Sequence, residues 1–141
     1  MYTLIKITII TLISLFSILV SAQNNFDITI NVKDANSNNG KMYIALYNTA
    51  SGFLEKTYKA DIIELKNTSC SVTFKDIPEG TYAVSIFHDE NNNGKLDTNF
   101  FGIPSEDYGC SNNATGFMGP PKWDDAKFQL TENKSVLISL K

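Results

Sequence analysis

Alternation of apolar and polar residues is the feature that most constrains this chain. Phe26, Ile28, Ile30 and Val32 are separated by Asp27, Thr29 and Asn31. An extended backbone puts the first set on one face and the second on the other, whereas a helix would scatter both around its circumference. From Lys41 to Tyr47 both faces are apolar, with Met42, Ile44 and Leu46 on one and Tyr43, Ala45 and Tyr47 on the other. That pattern predicts a central strand, and Tyr82 to His88 repeats it. Ser69 to Phe74 places Cys70, Val72 and Phe74 on one face, and Thr57 to Leu65 is a weaker strand. Asp125–Leu130 and Ser135–Leu140 are expected to close the chain as a hairpin around Thr131–Lys134. Asp34–Gly40 is a turn cluster, and at Ile77-Pro78-Glu79-Gly80 the proline pre-sets a turn while Gly80 supplies any positive φ. About seven short strands with turns between them predict an all-β fold, a single antiparallel β-sandwich.

The alternation begins only after residue 22. Before it, Lys6 precedes an apolar run from Ile7 to Val20 that ends in Val20-Ser21-Ala22 and turns polar at Gln23. A short cation-led apolar run with small residues at its end has the layout of a secretory signal peptide, residues 1–22, and is short for a spanning helix. The expected domain is then residues 23–141, secreted or periplasmic, with no stable membrane insertion after cleavage. That segment carries 11 Lys against 15 Asp plus Glu, a net charge of −4, and no Arg. An acidic chain lacking the residue best suited to phosphate makes nucleic acid an unsuitable partner. Cys70 and Cys110 would meet an oxidising compartment, where a disulfide is one outcome and two free thiols the other.

One stretch breaks the alternation. Asp89 to Asp124 spans 36 residues rich in Asn, Gly, Asp and Pro, and a loop of that length in a compact domain is often functional. It opens with Asp89-Glu90-Asn91-Asn92-Asn93-Gly94-Lys95-Leu96-Asp97. Side-chain oxygens at Asp89, Asn91, Asn93 and Asp97, the Lys95 carbonyl and a sharp turn at Gly94 have the spacing of a calcium loop. Phe100 stands where an EF-hand would place its bidentate Glu, so a further carboxylate must come from Glu106 or Asp107. The competing reading is that Asn-Asn-Gly is a good hairpin turn in its own right.

His88, the one histidine, follows Tyr82, Val84 and Ile86 on a strand face and is expected to be a satisfied rim or core residue. No partner motif makes it catalytic. The aromatics Phe100, Phe101, Tyr108, Phe117 and Trp123 are expected to pack the loop onto the sandwich, with a ligand platform as the alternative. Asn67-Thr68-Ser69, Asn113-Ala114-Thr115 and Asn133-Lys134-Ser135 match the glycosylation acceptor pattern.

These residues also resemble a family. Gly40-Lys41-Met42-Tyr43-Ile44-Ala45-Leu46-Tyr47, Ile77-Pro78-Glu79-Gly80-Thr81-Tyr82-Ala83-Val84 and the run from His88 to Asn99 are similar to DUF2141, small exported bacterial proteins of uncharacterised function. Gly102-Ile103-Pro104, Tyr108-Gly109, Ser111 to Ala114, Gly119-Pro120-Pro121 and Asp124-Asp125-Ala126 extend the likeness. The Pro-Glu-Gly-Thr-Tyr turn also resembles that of prealbumin-like and carboxypeptidase-regulatory-like sandwiches, and the Asp89–Asp97 run resembles calcium loops of surface adhesin repeats. These likenesses imply a sandwich used for binding or spacing. The expected function is therefore an exported, non-catalytic module, stabilised by weakly bound calcium, that binds a protein or glycan or serves a structural role at the cell envelope. The alternative is a small-molecule carrier with the 98–123 aromatic loop as a lid. A hydrolase using Asp89 and Asp97 comes third.

Overall fold

A computed structural model describes residues 24–141; the expected signal peptide lies outside them. The described residues form eight strands: β1 (Asn25–Lys33), β2 (Lys41–Tyr47), β3 (Lys59–Ile63), β4 (Cys70–Pro78), β5 (Gly80–Asp89), β6 (Tyr108–Cys110), β7 (Phe128–Leu130) and β8 (Lys134–Ser139). They form the expected all-β sandwich. In the three-stranded sheet β1 lies between β4 and β8. In the other sheet the order is β3-β2-β5-β6, with β7 paired to the start of β5.

The two-faced strands are central, as their composition predicts: β2 pairs with β3 and β5, and β5 with β2, β6 and β7. One face of each points into the sandwich. Met42, Ile44, Leu46, Val84 and Ile86 meet Ile28, Ile30 and Val32 of β1 and Ile138 of β8, and all are almost wholly buried. Removing such a side chain from water stabilises the fold by about 1.5–3 kcal/mol each.

Three local expectations are corrected. The last two strands are not a hairpin: β7 pairs with β5, whereas β8 crosses to the other sheet and runs parallel to β1. Alternation specifies which face a residue occupies and is silent about the partner strand. Asp125 and Ala126 are also not extended, because Trp123–Ala126 forms a short helix, α1. Gly80 does not take a positive φ; the left-handed residue nearby is Asp76, at φ 55°, inside β4. It sits in a bulge where Phe26 and Ile28 face Ile77 and Phe74, and the Asp27 carboxylate accepts its N–H at 3.2 Å. Cys70 and Cys110 are free thiols on different sheets.

The edge beyond β6 is nearly closed. Lys141 N–H donates to the Tyr108 carbonyl at 3.1 Å. Gly109 faces inward against β8, where a Cβ would lie 2.7 Å from Ile138 Cγ2. Only a residue without a side chain lets β6 approach this closely.

Candidate functional site

Strand β5 ends at Asp89, and the chain at once folds over the Asp89 carboxylate. Its Oδ1 accepts the Asn93 N–H at 3.0 Å and its Oδ2 the Gly94 N–H at 2.7 Å. Asn91 Oδ1 accepts the Asn93 N–H at 3.0 Å, and Asn93 Oδ1 the Lys95 N–H at 2.9 Å. These are turns made by short polar side chains bonding their own backbone two residues on. Gly94 takes φ 78°, the left-handed conformation that the sequence assigns to it. Glu106 closes the turn from the far side: Oε1 accepts the Glu90 N–H at 3.1 Å and Oε2 the Asp97 N–H at 2.9 Å. Asp107 instead binds Asn36, at 2.6 Å from its Nδ2.

Asp89, Asn91, Asn93, Asp97 and Glu106 are therefore gathered in one turn, and Lys95 lies within it. Asp89 is wholly buried. Among the described residues no lysine ammonium lies within ion-pair distance of Asp89, Asp97 or Glu106. Burying a carboxylate without a cation is unfavourable unless hydrogen bonds compensate, and here two backbone N–H groups do. As a donor set for a hard cation the residue types fit, with three carboxylates and two carboxamides. Two features show that the set is not preassembled. Asn91 and Asn93 turn their Nδ2 atoms to Asp97, at 2.6 and 2.9 Å, so both carboxamides must reorient to offer oxygen. No three His, Cys, Asp or Glu side chains among the described residues converge as a metal cage.

His88 is fully buried on the inner face, as its position on β5 predicts, yet it is only half satisfied. Nε2 lies 2.6 Å from the Asn39 carbonyl. Nδ1 has no hydrogen-bond partner and lies 3.7 Å from Glu90 Oε1.

The outer face of the five-stranded sheet provides a second feature. In most sandwiches this face is polar. Here it carries Tyr43, Ala45 and Tyr47 from β2, Ala83, Ser85 and Phe87 from β5, and Tyr108 and Cys110 from β6. One end is covered, because Ala83 and Cys110 are buried under Ala126, with Phe53 and Trp123 packed against them. The other end opens into a groove of about 700 Å³. Its floor is Ser85, Phe87, Tyr108 and Cys110, and its walls come from residues 96–104 and 116–121. A hollow of about 360 Å³ continues beside it under Tyr43 and Tyr47, sharing Ser85 and Phe87. Burial pushes the Cys110 thiol up, and a hydrogen bond from Ser85 offsets part of that rise.

The 36-residue stretch that lacks periodicity is thus not structureless. After the turn, residues 97–105 form a miniature hairpin, with the Asp97 carbonyl accepting the Ser105 N–H at 2.8 Å and a bridge between Thr98 and Pro104. Strand β6 and a 3-10 turn at Ser111–Asn113 follow. Sequence reasoning missed Ser111, which is wholly buried. Its hydroxyl donates to the Ala126 carbonyl at 2.6 Å and accepts the Val84 N–H at 2.9 Å, pinning loop to strand. A three-residue strand holds too little alternation to be visible in sequence, and the Ser111–Ala114 segment of the family likeness carries no role for Ser111. The aromatic expectation is corrected in part. Tyr108 and Trp123 pack as predicted, but Phe100, Phe101 and Phe117 are 97%, 82% and 92% exposed. Their rings face water instead of packing the loop down, and Phe101 stands at the groove's edge.

No curated protein and no solved structure matches this sequence. A protein-family model, described as "Uncharacterized protein conserved in bacteria", does match over residues 30–138, from the second half of β1 into β8, and the chain therefore belongs to the DUF2141 family.

Proposed function

We propose that this chain is an exported, non-catalytic β-sandwich module that binds its ligand in the groove on the outer face of the five-stranded sheet. The observation that carries this reading is the pair of two-faced strands. β2 and β5 are apolar on both sides and one side fills the core; on the other, β5 floors the groove and β2 the hollow beside it, concave surfaces of the size that ligand sites occupy. The 98–123 loop supplies residues of both walls, which favours the carrier among the expected functions over a purely structural spacer. Among the described residues no Asp, Glu, Lys or His lines the groove, so general acid–base chemistry lacks its usual groups there. The Cys110 thiol is pushed away from the thiolate form that a nucleophile requires. Calcium held by Asp89, Asn91, Asn93, Asp97, Glu106 and the Lys95 carbonyl would brace the wall that begins at Leu96, as a structural ion.

The test is to titrate isotope-labelled protein with oligosaccharides, peptides and apolar small molecules while following backbone amide shifts. Shifts confined to Ser85, Phe87, Tyr108, Ile103 and Met118 are expected. A ligand that maps instead to β1, β4 or β8, or one that is turned over, would overturn the proposal.

A further inference from the structure

We infer that the groove takes an uncharged, elongated, mainly apolar small molecule, such as an acyl or isoprenoid chain, in preference to a glycan or an anion. This rests on the groove being the binding site and goes on to name the class of ligand.

The first argument is charge. The domain from Gln23 onward carries 26 charged residues, yet among the described residues no Asp, Glu, Lys or His lines the groove, and the adjoining hollow adds one carboxylate, Asp61. A bound carboxylate or phosphate would be taken out of water with no cation to pair it, and an amine lying in the groove would find no anion there. The second is hydrogen bonding. A sugar presents many hydroxyl groups, each unfavourable to bury without a partner. Among the described residues the groove offers only the hydroxyls of Ser85, Thr98 and Tyr108 and a few backbone groups against a lining of Phe, Leu, Ile, Met and Pro, and the hollow adds Tyr43, Tyr47, Thr57 and the Asp61 carboxylate. Glycan sites need several planar amide or carboxylate side chains to match paired hydroxyls; the groove has none and the hollow has one.

The third argument is shape. The groove and the smaller hollow share Ser85 and Phe87, so the floor continues across β5 toward β2. A long, thin occupant fills that track and a compact one does not. The fourth is the rim. Phe101 and Met118, on opposite walls, are 82% and 94% exposed. Apolar side chains presented to water around a concavity mark an interaction site, and an apolar chain lying between these two would cover both.

The probe is N-phenyl-1-naphthylamine, neutral and fluorescent when out of water, with its sulfonated anilinonaphthalene analogue as the charged comparison and maltohexaose and hexadecan-1-ol as competitors. The wild type should bind the neutral probe saturably at one site, release it to hexadecan-1-ol, and ignore maltohexaose. Met118→Glu and Phe101→Glu place a carboxylate on each wall at positions exposed enough to leave folding intact, and each should weaken the neutral probe by about tenfold. Phe117→Glu, at the same tip as Met118 but outside the lining, and Leu137→Glu on β8 should change it by less than about twofold. If the wild type fails to bind the neutral probe while an oligosaccharide or anion binds and responds to Met118→Glu, the ligand class is wrong and the groove stands as the site. If the neutral probe binds and neither wall variant weakens it, the inference falls, and the groove falls with it.

Discussion

Gly40 packs its backbone against the end of β5 at Asp89. A Cβ on Gly40 would overlap the Asp89 carbonyl oxygen and lie 2.6 Å from Glu90 Cα, and the residue holds φ 71°. The turn before β2 and the carboxylate-rich turn after β5 therefore touch backbone to backbone. Gly40→Ala adds left-handed strain to an overlap that no side-chain rotation relieves. It should destabilise the domain by about 2–4 kcal/mol, read from urea unfolding. The Asn93 and Gly94 amides should also lose hydrogen-exchange protection, because the peptide that moves carries the carboxylate that holds them. A loss below about 0.5 kcal/mol would mean that the two turns are mechanically independent.

The two faces of β5 should respond differently to truncation. Ile86, in the sandwich core, is 1% exposed, and Ile86→Ala should lower stability by about 2–5 kcal/mol. Phe87, on the outer face, is half-buried and stacks on Tyr43 with ring centroids 4.7 Å apart and planes 12° from parallel. A double-mutant cycle on Tyr43→Ala and Phe87→Ala should return a coupling of about 0.5–1.5 kcal/mol. Equal losses at Ile86 and Phe87 would mean that a third layer covers the outer face in solution.

The contrast between these neighbours explains what was legible in the sequence. Faces were legible: Ile28, Ile30, Met42, Ile44, Val84 and Ile86 all lie where period-two alternation puts them. Partners were not, because nothing in Ser135–Leu140 says that β8 runs parallel to β1 instead of turning back on β7. The Asp89–Asp97 turn was legible because its spacing is local and Glu106 is near in sequence. The groove was half legible. Two apolar faces on β2 and β5 indicate centrality in a sheet, which is correct, but the second face is covered at one end only, by Ala126, Phe53 and Trp123. That depends on where residues 96–121 travel, and their course is set by single contacts such as Ser111 to Ala126. Such contacts leave no periodic trace.

Alkaline pH should unfold the domain through its buried acids. The Cys110, Cys70, Tyr47 and Tyr82 side chains are all pushed up from their ordinary values chiefly by burial, with Cys110 adding to the rise at Tyr47 and Tyr58 to that at Tyr82. A group whose value is raised on folding loses its proton more readily in the unfolded chain. Its contribution is complete below the ordinary thiol value of 9.0 and is lost as pH climbs from there through the raised folded value. The urea midpoint should be flat near neutrality and fall above about pH 9. Cys110→Ala should make that fall shallower, and an unchanged alkaline limb would assign the loss to other groups.

Export gives a simpler expectation. The protein recovered from its source should begin at Gln23 and lie outside the cytoplasm. N-terminal sequencing checks this, and an intact Met1 in the membrane fraction would contradict it.

Calcium should stabilise the Asp89–Asp97 turn weakly. Three carboxylates, those of Asp89, Asp97 and Glu106, already accept six N–H donors in the closed turn. A cation must compete with the two that Asn91 and Asn93 direct at Asp97. That competition, together with only three charges, sets the expected dissociation constant near 10⁻⁴–10⁻³ M, the range of extracellular modules. At ten times that constant, mass action adds about 1.4 kcal/mol of stability. The measurement is the melting temperature in chelator and in several millimolar calcium, for wild type and for Asp97→Ala. Asp97 is the better substitution because Asp89 is buried and holds the turn without metal, so losing it would destabilise both conditions and hide the ion. Wild type should gain a few degrees in calcium and the variant should gain none. If both gain equally, calcium binds elsewhere. If neither gains, Asn91 and Asn93 keep their amide nitrogens on Asp97, and the turn is held by hydrogen bonds alone.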